Sequence, residues 1–241
     1  LFHRVTEHRP EEAVINYAES HDQAIVGGKS LMFEMVDAAM YTGMHRGTQD
    51  LRVERGVALH KMIRLATIAG GGGGYLNFIG NEFGHPEWVD FPRPGNDWSY
   101  HYARRQWQLM DDPNLLYGCL AAFDRAMVAL FREYRILEKP QPVLLRSHNS
   151  ENTVAWHRGD FVFIFNWHPV DSYSDYAVPL PGPGKYRLLL DTDGEAYGGQ
   201  GRIEPGQEFL SFPGKKKQVF AYVYLPARSA LVLRREDKGR T

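Results

Sequence analysis

The densest cluster of polar side chains in the sequence lies at residues 19–23, directly after the apolar run VINYA (residues 14–18). It consists of Glu19, Ser20, His21, Asp22 and Gln23. Carboxylate and imidazole groups transfer protons and hydrogen-bond to hydroxyl groups near neutral pH. If VINYA is a strand of a parallel βα barrel, the cluster lies at the carboxyl end of that strand, where such barrels carry their active sites. An ordinary βα loop, with Asp22 capping the next helix, would account for the same residues.

A second polar cluster, GNEFGHPEW (residues 80–88), follows the apolar run YLNFIG (residues 75–80). We expect it at the same end of the sheet, because parallel strands place their carboxyl ends side by side. Its chemically useful members are Asn81, Glu82, His85, Glu87 and Trp88. No pair among them has the spacing of a known His-carboxylate metal site such as H-E-x-x-H, so we predict no metal.

Two further segments have a composition that is typical of ligand-binding sites. The five glycines at residues 70–74 precede the second apolar run, and no G-K-[ST] follows them, so an αβ turn is favoured over a phosphate-binding loop. In WSYHYARRQW (residues 98–107) aromatic and cationic side chains alternate, a composition that stacks on sugars or on bases. An ordinary helix start with exposed arginines explains this segment equally well.

The first half of the chain alternates apolar runs with helical periodicity. Strands are predicted at residues 14–18 and 75–80, and helices at residues 30–44 and 52–69. A last helix is predicted to start with Asp112 as its cap and Pro113 in its first turn, and to run to Tyr134. Strands that alternate with helices are typical of parallel βα units.

The second half has short β-branched and aromatic runs separated by turn residues. EKPQP (residues 138–142) is predicted to be a linker, which divides the chain into residues 1–140 and 141–241. The predicted strands are TVAWH, FVFIFNW, KYRLLL, VFAYVYL and ALVL. We therefore predict an antiparallel β-sandwich. Alternation places Phe161, Phe163, Phe165 and Trp167 on one face, and we interpret that face as core.

Composition excludes several classes of function. The 28 Lys and Arg residues balance 29 Asp and Glu residues among 241, so nothing favours binding to nucleic acid or to anionic lipid. No apolar run is long enough to span a membrane. The lone Cys119 can form no disulfide within the chain, which fits a reducing compartment, and we expect a cytoplasmic protein. Because the sequence begins at Leu1 and not at an initiator methionine, we expect it to be cut from a longer protein.

Three long segments carry a family resemblance: YAESHDQAIVGGKS (17–30), ERGVALHKMIRL (54–65) and YLNFIGNEFGHPEWVDFPR (75–93). They closely resemble the C-terminal half of glycogen branching enzymes, and the similarity continues through SYHYARRQW (99–107) into the β-rich half. Branching enzymes belong to the α-amylase superfamily. The resemblance implies an interrupted (β/α)₈ TIM barrel followed by an all-β domain, with VINYA as the seventh barrel strand and YLNFIG as the eighth.

The resemblance also implies roles for individual residues. Asp22 matches the third carboxylate of the family, which binds the hydroxyls of the sugar in the −1 subsite, and His21 donates a hydrogen bond to the same sugar. Gln23, Lys29 and Trp88 are weaker candidates for contacts with the glucan. The substrate would be an α-glucan, and no cofactor is implied. Relatives commonly carry a Glu where this chain has Gly73.

Two carboxylates of the family lie on earlier strands, the nucleophilic Asp on the fourth and the acid/base Glu on the fifth. We therefore expect this chain alone to be inactive. Two other hypotheses stay open: an amylase-like α-glucan hydrolase, and a non-catalytic glucan-binding or interaction module. An incomplete barrel would leave apolar strand faces uncovered, so we also predict a homo-oligomer formed through residues 1 to about 140.

Overall fold

A computed structural model of the chain describes residues 1–7, 9, 12–22, 28–86 and 90–236. Its first two strands, β1 (Ile15–Asn16) and β2 (Gly74–Tyr75), pair in parallel, with Ile15 opposite Gly74. The parallel pairing agrees with the sequence analysis, but both strands are much shorter than the predicted runs. After Tyr75 only one more ladder bond forms, from the Leu76 N–H to the Asn16 carbonyl (2.9 Å), and the chain then leaves the sheet.

Five α-helices occur among the described residues: α1 (Phe2–Thr6), α2 (Leu31–Val36), α3 (Leu51–Gly70), α4 (Gln108–Asp111) and α5 (Tyr117–Glu133). The Ser30 hydroxyl caps α2 and the Asp50 carboxylate caps α3. The helix predicted at residues 30–44 ends at Val36, because Asp37 adopts a positive φ of 53° and a 3₁₀ turn follows (Asp37–Tyr41).

The predicted start of the last helix was wrong. The Asp112 carboxylate accepts a hydrogen bond from the Asn114 N–H (2.8 Å), so it closes a turn instead of capping a helix. Helix α5 begins at Tyr117, with Leu116 as its N-cap and no side chain capping it. The glycine run joins α3 to β2, as predicted. A methyl group at Gly72 would lie 2.6 Å from Val14 Cγ2, so the close packing of this turn on the chain before β1 requires glycine.

The second half forms two antiparallel sheets. The larger has six strands in the order β3–β4–β5–β11–β7–β8, and the smaller has three in the order β6–β10–β9. Their bounds are β3 (Val143–His148), β4 (Thr153–Arg158), β5 (Phe161–Asn166), β6 (Tyr173–Leu180), β7 (Lys185–Asp191), β8 (Glu208–Leu210), β9 (Phe212–Pro213), β10 (Val219–Leu225) and β11 (Ser229–Arg235). The antiparallel architecture is confirmed, although β3, β6, β8 and β9 were not predicted.

The six-stranded sheet is covered on both faces. One face packs against the three-stranded sheet, where Val162 and Ile164 of β5 join Val178 and Val223 in a core. The other face packs against α3 and α5. There Phe161, Phe163 and Phe165 form a second core with aliphatic and aromatic side chains of the two helices. All six residues of β5 are therefore buried. This second core includes residues on both sides of the predicted 138–142 linker, so the helical region and the β region are packed together.

Candidate active site

His21 and Asp22 follow β1 and project into solvent. Their side chains are 64% and 65% exposed, and His21 Nε2 lies 3.1 Å from Asp22 Oδ1. The Asp22 N–H donates to the Ser20 hydroxyl (3.3 Å), which fixes the loop backbone. An exposed carboxylate next to an imidazole presents both an acceptor and a donor, the combination that pairs with the vicinal hydroxyls of a sugar.

The buried Glu19 side chain anchors the loop that carries His21 and Asp22. Its Oε2 accepts a hydrogen bond from the Leu31 N–H at the start of α2 (2.9 Å). Burial raises the pKa of Glu19, while that backbone bond and a bond from the Asn81 side chain oppose the shift. The carboxylate thus ties the loop after β1 to the start of α2.

The loops after β1 and β2 meet through two further contacts. The Ser30 hydroxyl donates to the Pro86 carbonyl (2.7 Å) while it accepts from the Phe33 N–H (3.2 Å). The His21 ring lies 6.3 Å from the Phe78 ring, centroid to centroid. The two polar clusters found in the sequence are therefore brought to the same edge of the structure, as the parallel strand order predicted.

The segment at residues 98–107 leads into α4, whose N-cap is Trp107, as the helix-start interpretation expected. Its last residues also contact the loop after β2. Arg105 Nε donates to the Ile79 carbonyl (2.7 Å), and the guanidinium lies 5.0 Å from the centroid of the Phe78 ring. The Gln106 N–H donates to Nε2 of the buried His85 (3.2 Å). His85 belongs to the second polar cluster of the sequence, where no role was predicted for it. In the structure the buried His85 ring links the loop after β2 to the segment at residues 98–107.

The weaker candidates have different outcomes. Lys29 is exposed, and its ammonium lies 3.9 Å above the centroid of the Phe33 ring, on the helix that Glu19 anchors. Gln23, Glu87 and Trp88 lie outside the described residues. His60 is buried, and burial lowers its pKa well below the ordinary value, so it is a neutral core residue. Within the described ranges, no group of three His, Cys, Asp or Glu side chains is placed to hold a metal ion.

Comparison with known proteins adds the family context. Residues 145–236 match the model of the family described as alpha amylase, C-terminal all-beta domain. The chain is 50% identical over 240 residues to the 1,4-alpha-glucan-branching enzyme of Felis catus, and 46% identical over 239 residues to that of Candida glabrata. Each alignment covers 98% of this chain and 34% of the relative. The resemblance to branching enzymes is thereby confirmed. The chain spans about a third of the length of these branching enzymes.

Solved structures show the same fold at low identity. The alpha-amylase from Geobacillus thermoleovorans, complexed with acarbose, aligns with a TM-score of 0.54 and 12% identity over 94% of this chain and 39% of its own. The debranching enzyme of Nostoc punctiforme aligns with a TM-score of 0.54 and 17% identity over 92% of this chain and 35% of its own. Among the described residues, no helix is long and apolar enough to cross a bilayer.

Proposed function

We propose that this chain forms the carboxyl-terminal part of the catalytic barrel, together with the β domain, of a 1,4-α-glucan branching enzyme. Such an enzyme cleaves an α-1,4 linkage, holds the glucan as a covalent intermediate and transfers it to a 6-hydroxyl. In this proposal β1 and β2 are the seventh and eighth barrel strands, residues 1–140 belong to the barrel, and residues 141–241 form the β domain. The parallel pairing of β1 and β2 and the identity along nearly the whole chain support it.

The observation that carries the proposal is the exposed His21–Asp22 pair, supported by the buried Glu19 at the edge where both loops meet. In the proposed enzyme Asp22 accepts hydrogen bonds from the hydroxyls of the −1 sugar and His21 donates to one of them. Hydrogen bonds to ring hydroxyls strengthen as the sugar approaches its oxocarbenium-like transition state, so they lower the barrier more than they tighten substrate binding. Lys29, Gln23 and Trp88 would make secondary contacts with the glucan.

The bond-cleaving step needs two more carboxylates. Retaining glycoside chemistry uses a nucleophile and an acid/base about 5 Å apart, on either side of the scissile bond. The carboxylate closest to Asp22 in the sequence is Glu19, which is buried and whose Oε2 accepts from the backbone of Leu31. We therefore propose that the nucleophile and the acid/base come from the rest of the enzyme and that this chain alone does not turn over α-glucan.

The test is Asp22→Asn in the branching enzyme that contains this chain, with Asp37→Asn as the matched control. Asp37 is an exposed aspartate whose carboxylate lies 3.9 Å from Arg52, and its positive φ suits Asn equally well. We expect Asp22→Asn to lower kcat by about a thousandfold with little change in KM or melting temperature, and Asp37→Asn to leave kcat unchanged. Near-normal branching by the Asp22 variant would refute the assignment.

The product analysis separates the alternatives. Branching of amylose yields new α-1,6 linkages, seen as short chains after enzymatic debranching, while the number of reducing ends stays constant. Shorter linear chains with new reducing ends would favour the amylase-like hydrolase. Saturable binding of maltoheptaose by the full-length protein without any turnover would favour the non-catalytic module.

A further inference from the structure

A polar cleft of about 390 Å³ lies between the amino-terminal half of α3, the loop that follows β7, and the turn between β10 and β11. It shares no residue with the His21–Asp22 pair. Four cationic side chains line it, Arg55, Lys61, Arg202 and Arg228, against two carboxylates, Glu54 and Asp193. The lining charges therefore leave an excess of positive charge in a cavity of the size that small ligands occupy.

One cation is neutralised within the wall. Arg202 binds Asp193 through two parallel bonds of 2.9 Å, from Nε to Oδ2 and from Nη2 to Oδ1. The backbone N–H groups of Gln200 and Arg202 donate to the same carboxylate. Asp193 is thus hydrogen-bonded on both oxygens, and its charge, with that of the nearby Asp191, also acts on Lys61. Arg55 and Arg228 receive no such partner among the described residues.

Lys61 supplies an ammonium group at the bottom of the cleft. Its side chain is only 1% exposed, and Nζ donates one hydrogen bond, to the Tyr197 carbonyl (2.8 Å). An ammonium group has three N–H donors, and among the described residues the Tyr197 carbonyl is the single hydrogen-bond acceptor for Lys61 Nζ.

Arg55 and Arg228 are the unusual pair. Neither guanidinium makes a hydrogen bond or an ion pair with any residue in the described part of the chain, although both line the same cleft. Burial, and next the charge of Arg55, lower the pKa of Arg228. Arg228 also holds a φ of +50°, a left-handed conformation that glycine adopts without strain. Two like charges facing one cleft repel each other, and a bound anion would remove that cost.

We propose that this cleft binds the phosphate group of a sugar phosphate. Two unpaired guanidinium forks match the oxygens of a phosphate monoester, and Lys61 adds a point charge behind them. Next to these cations the wall offers the side chains of Gln200 and Thr48 for hydroxyl groups, and Pro169 and Val170 as an apolar surface for a sugar ring. A free sugar phosphate and a phosphate ester on an α-glucan chain share this chemistry.

The experiment is isothermal titration calorimetry of the chain with glucose 6-phosphate, orthophosphate, glucose and maltoheptaose 6-phosphate. The variants are Arg55→Gln and Arg228→Gly, with Arg52→Gln as the matched control. Arg52 is one turn before Arg55 on α3 and is not part of the cleft. Glycine at position 228 fits the observed φ, so that variant removes the guanidinium without straining the turn. Melting curves check that every variant is folded.

We expect saturable binding of glucose 6-phosphate, weakened at least about tenfold by Arg55→Gln and by Arg228→Gly and unchanged by Arg52→Gln. Glucose alone should not bind. Tighter binding of maltoheptaose 6-phosphate would identify the glucan ester as the natural source, and tighter binding of glucose 6-phosphate the free sugar phosphate. Equal affinity for orthophosphate would overturn the sugar part of the proposal. The absence of binding at about 10 mM ligand would overturn the whole proposal, and so would binding by the two cleft variants as tight as that of the unaltered chain.

Discussion

Arg158 is a buried cation whose hydrogen bonds tie the glycine turn to the β region. Only 1% of its surface is exposed, and its guanidinium faces backbone carbonyls instead of a carboxylate. Nη1 donates to the Gly71 carbonyl (2.6 Å), and Nη2 donates to the carbonyls of Gly72 (3.0 Å) and Leu137 (2.6 Å). Longer bonds from Nε and Nη2 reach the Lys139 carbonyl (3.4 and 3.3 Å). One side chain on β4 thus satisfies carbonyls of the glycine turn and of the segment that follows α5.

We predict that Arg158→Met lowers the free energy of unfolding by about 3–5 kcal/mol. Methionine approximates the length of the stem but donates no hydrogen bond, so the two buried acceptors, the carbonyls of Gly71 and Gly72, lose their donor. A buried acceptor left without a partner costs about 1–3 kcal/mol, and a bond to a charged group contributes about 1.5–3 kcal/mol. Water can replace the donor at the carbonyls of Leu137 and Lys139, because those bonds are only partly buried.

Arg235→Met is the matched control. Arg235 ends β11, and its guanidinium pairs with Asp160 Oδ1 at 3.1 Å in a position where both side chains are 35% exposed. Partly exposed pairs of this kind contribute about 0–1 kcal/mol. Urea unfolding followed by tryptophan fluorescence gives both values, since Trp156 is buried in the core shared by the two regions. Equal, small losses in the free energy of unfolding for Arg158→Met and Arg235→Met would contradict this prediction.

Three further predictions concern charge, packing and assembly. Burial lowers the pKa of Lys61 from 10.5 to about 8. Between pH 8 and pH 10.5 the folded protein therefore binds fewer protons than the unfolded chain, and its free energy of unfolding should rise with pH, by about 3 kcal/mol in total. In urea titrations at pH 8 to 10, Lys61→Met should flatten this rise. Gly56→Ala should lower the free energy of unfolding by about 1–3 kcal/mol, although alanine has the better helix propensity, because the new methyl group would lie 2.3 Å from Val36 Cγ2. Adding Val36→Ala should recover part of this loss in the same urea titration. Light scattering of the 241-residue chain should show an oligomer, since Ile15 and Ile79 near the short parallel strands are exposed, and a stable monomer at micromolar concentration would contradict that prediction.

The sequence predicted those elements whose signals are local. Helix α3 begins and ends within one residue of the predicted range, because a capping aspartate precedes a long helical stretch and glycines follow it. The predicted β strands correspond to runs of alternating or continuous apolar residues. Strand β6 was missed because Ser174, Asp175 and Pro179 resemble turn residues. It is an edge strand of the smaller sheet, where exposed polar residues and a proline are tolerated.

Strand length and helix starts depend on tertiary contacts that a single sequence does not show. VINYA and YLNFIG are largely apolar runs of five and six residues. Among the described residues, however, the ladder pairs only Ile15 and Asn16 of the first run and Tyr75 of the second. Asp112 has the composition of a helix cap, but its carboxylate closes a local turn with Asn114. The polar clusters could be found from composition, whereas the supporting bonds from Glu19 and His85 required knowledge of which loops meet.

Helix α3 explains why the two candidate sites of this chain are structurally linked. Successive residues of a helix differ by about 100° in direction, so neighbours in sequence serve different surroundings. His60 hydrogen-bonds to the backbone of Asn81 behind the His21–Asp22 edge, while Lys61 reaches the polar cleft and the Tyr197 carbonyl. One turn further along, Arg64 pairs with the buried Asp124 of α5. A helix buried on so many sides lacks the polar face of a surface helix. For this reason Lys61 and Arg64 look solvent-exposed in the sequence but are buried and have specific partners in the fold.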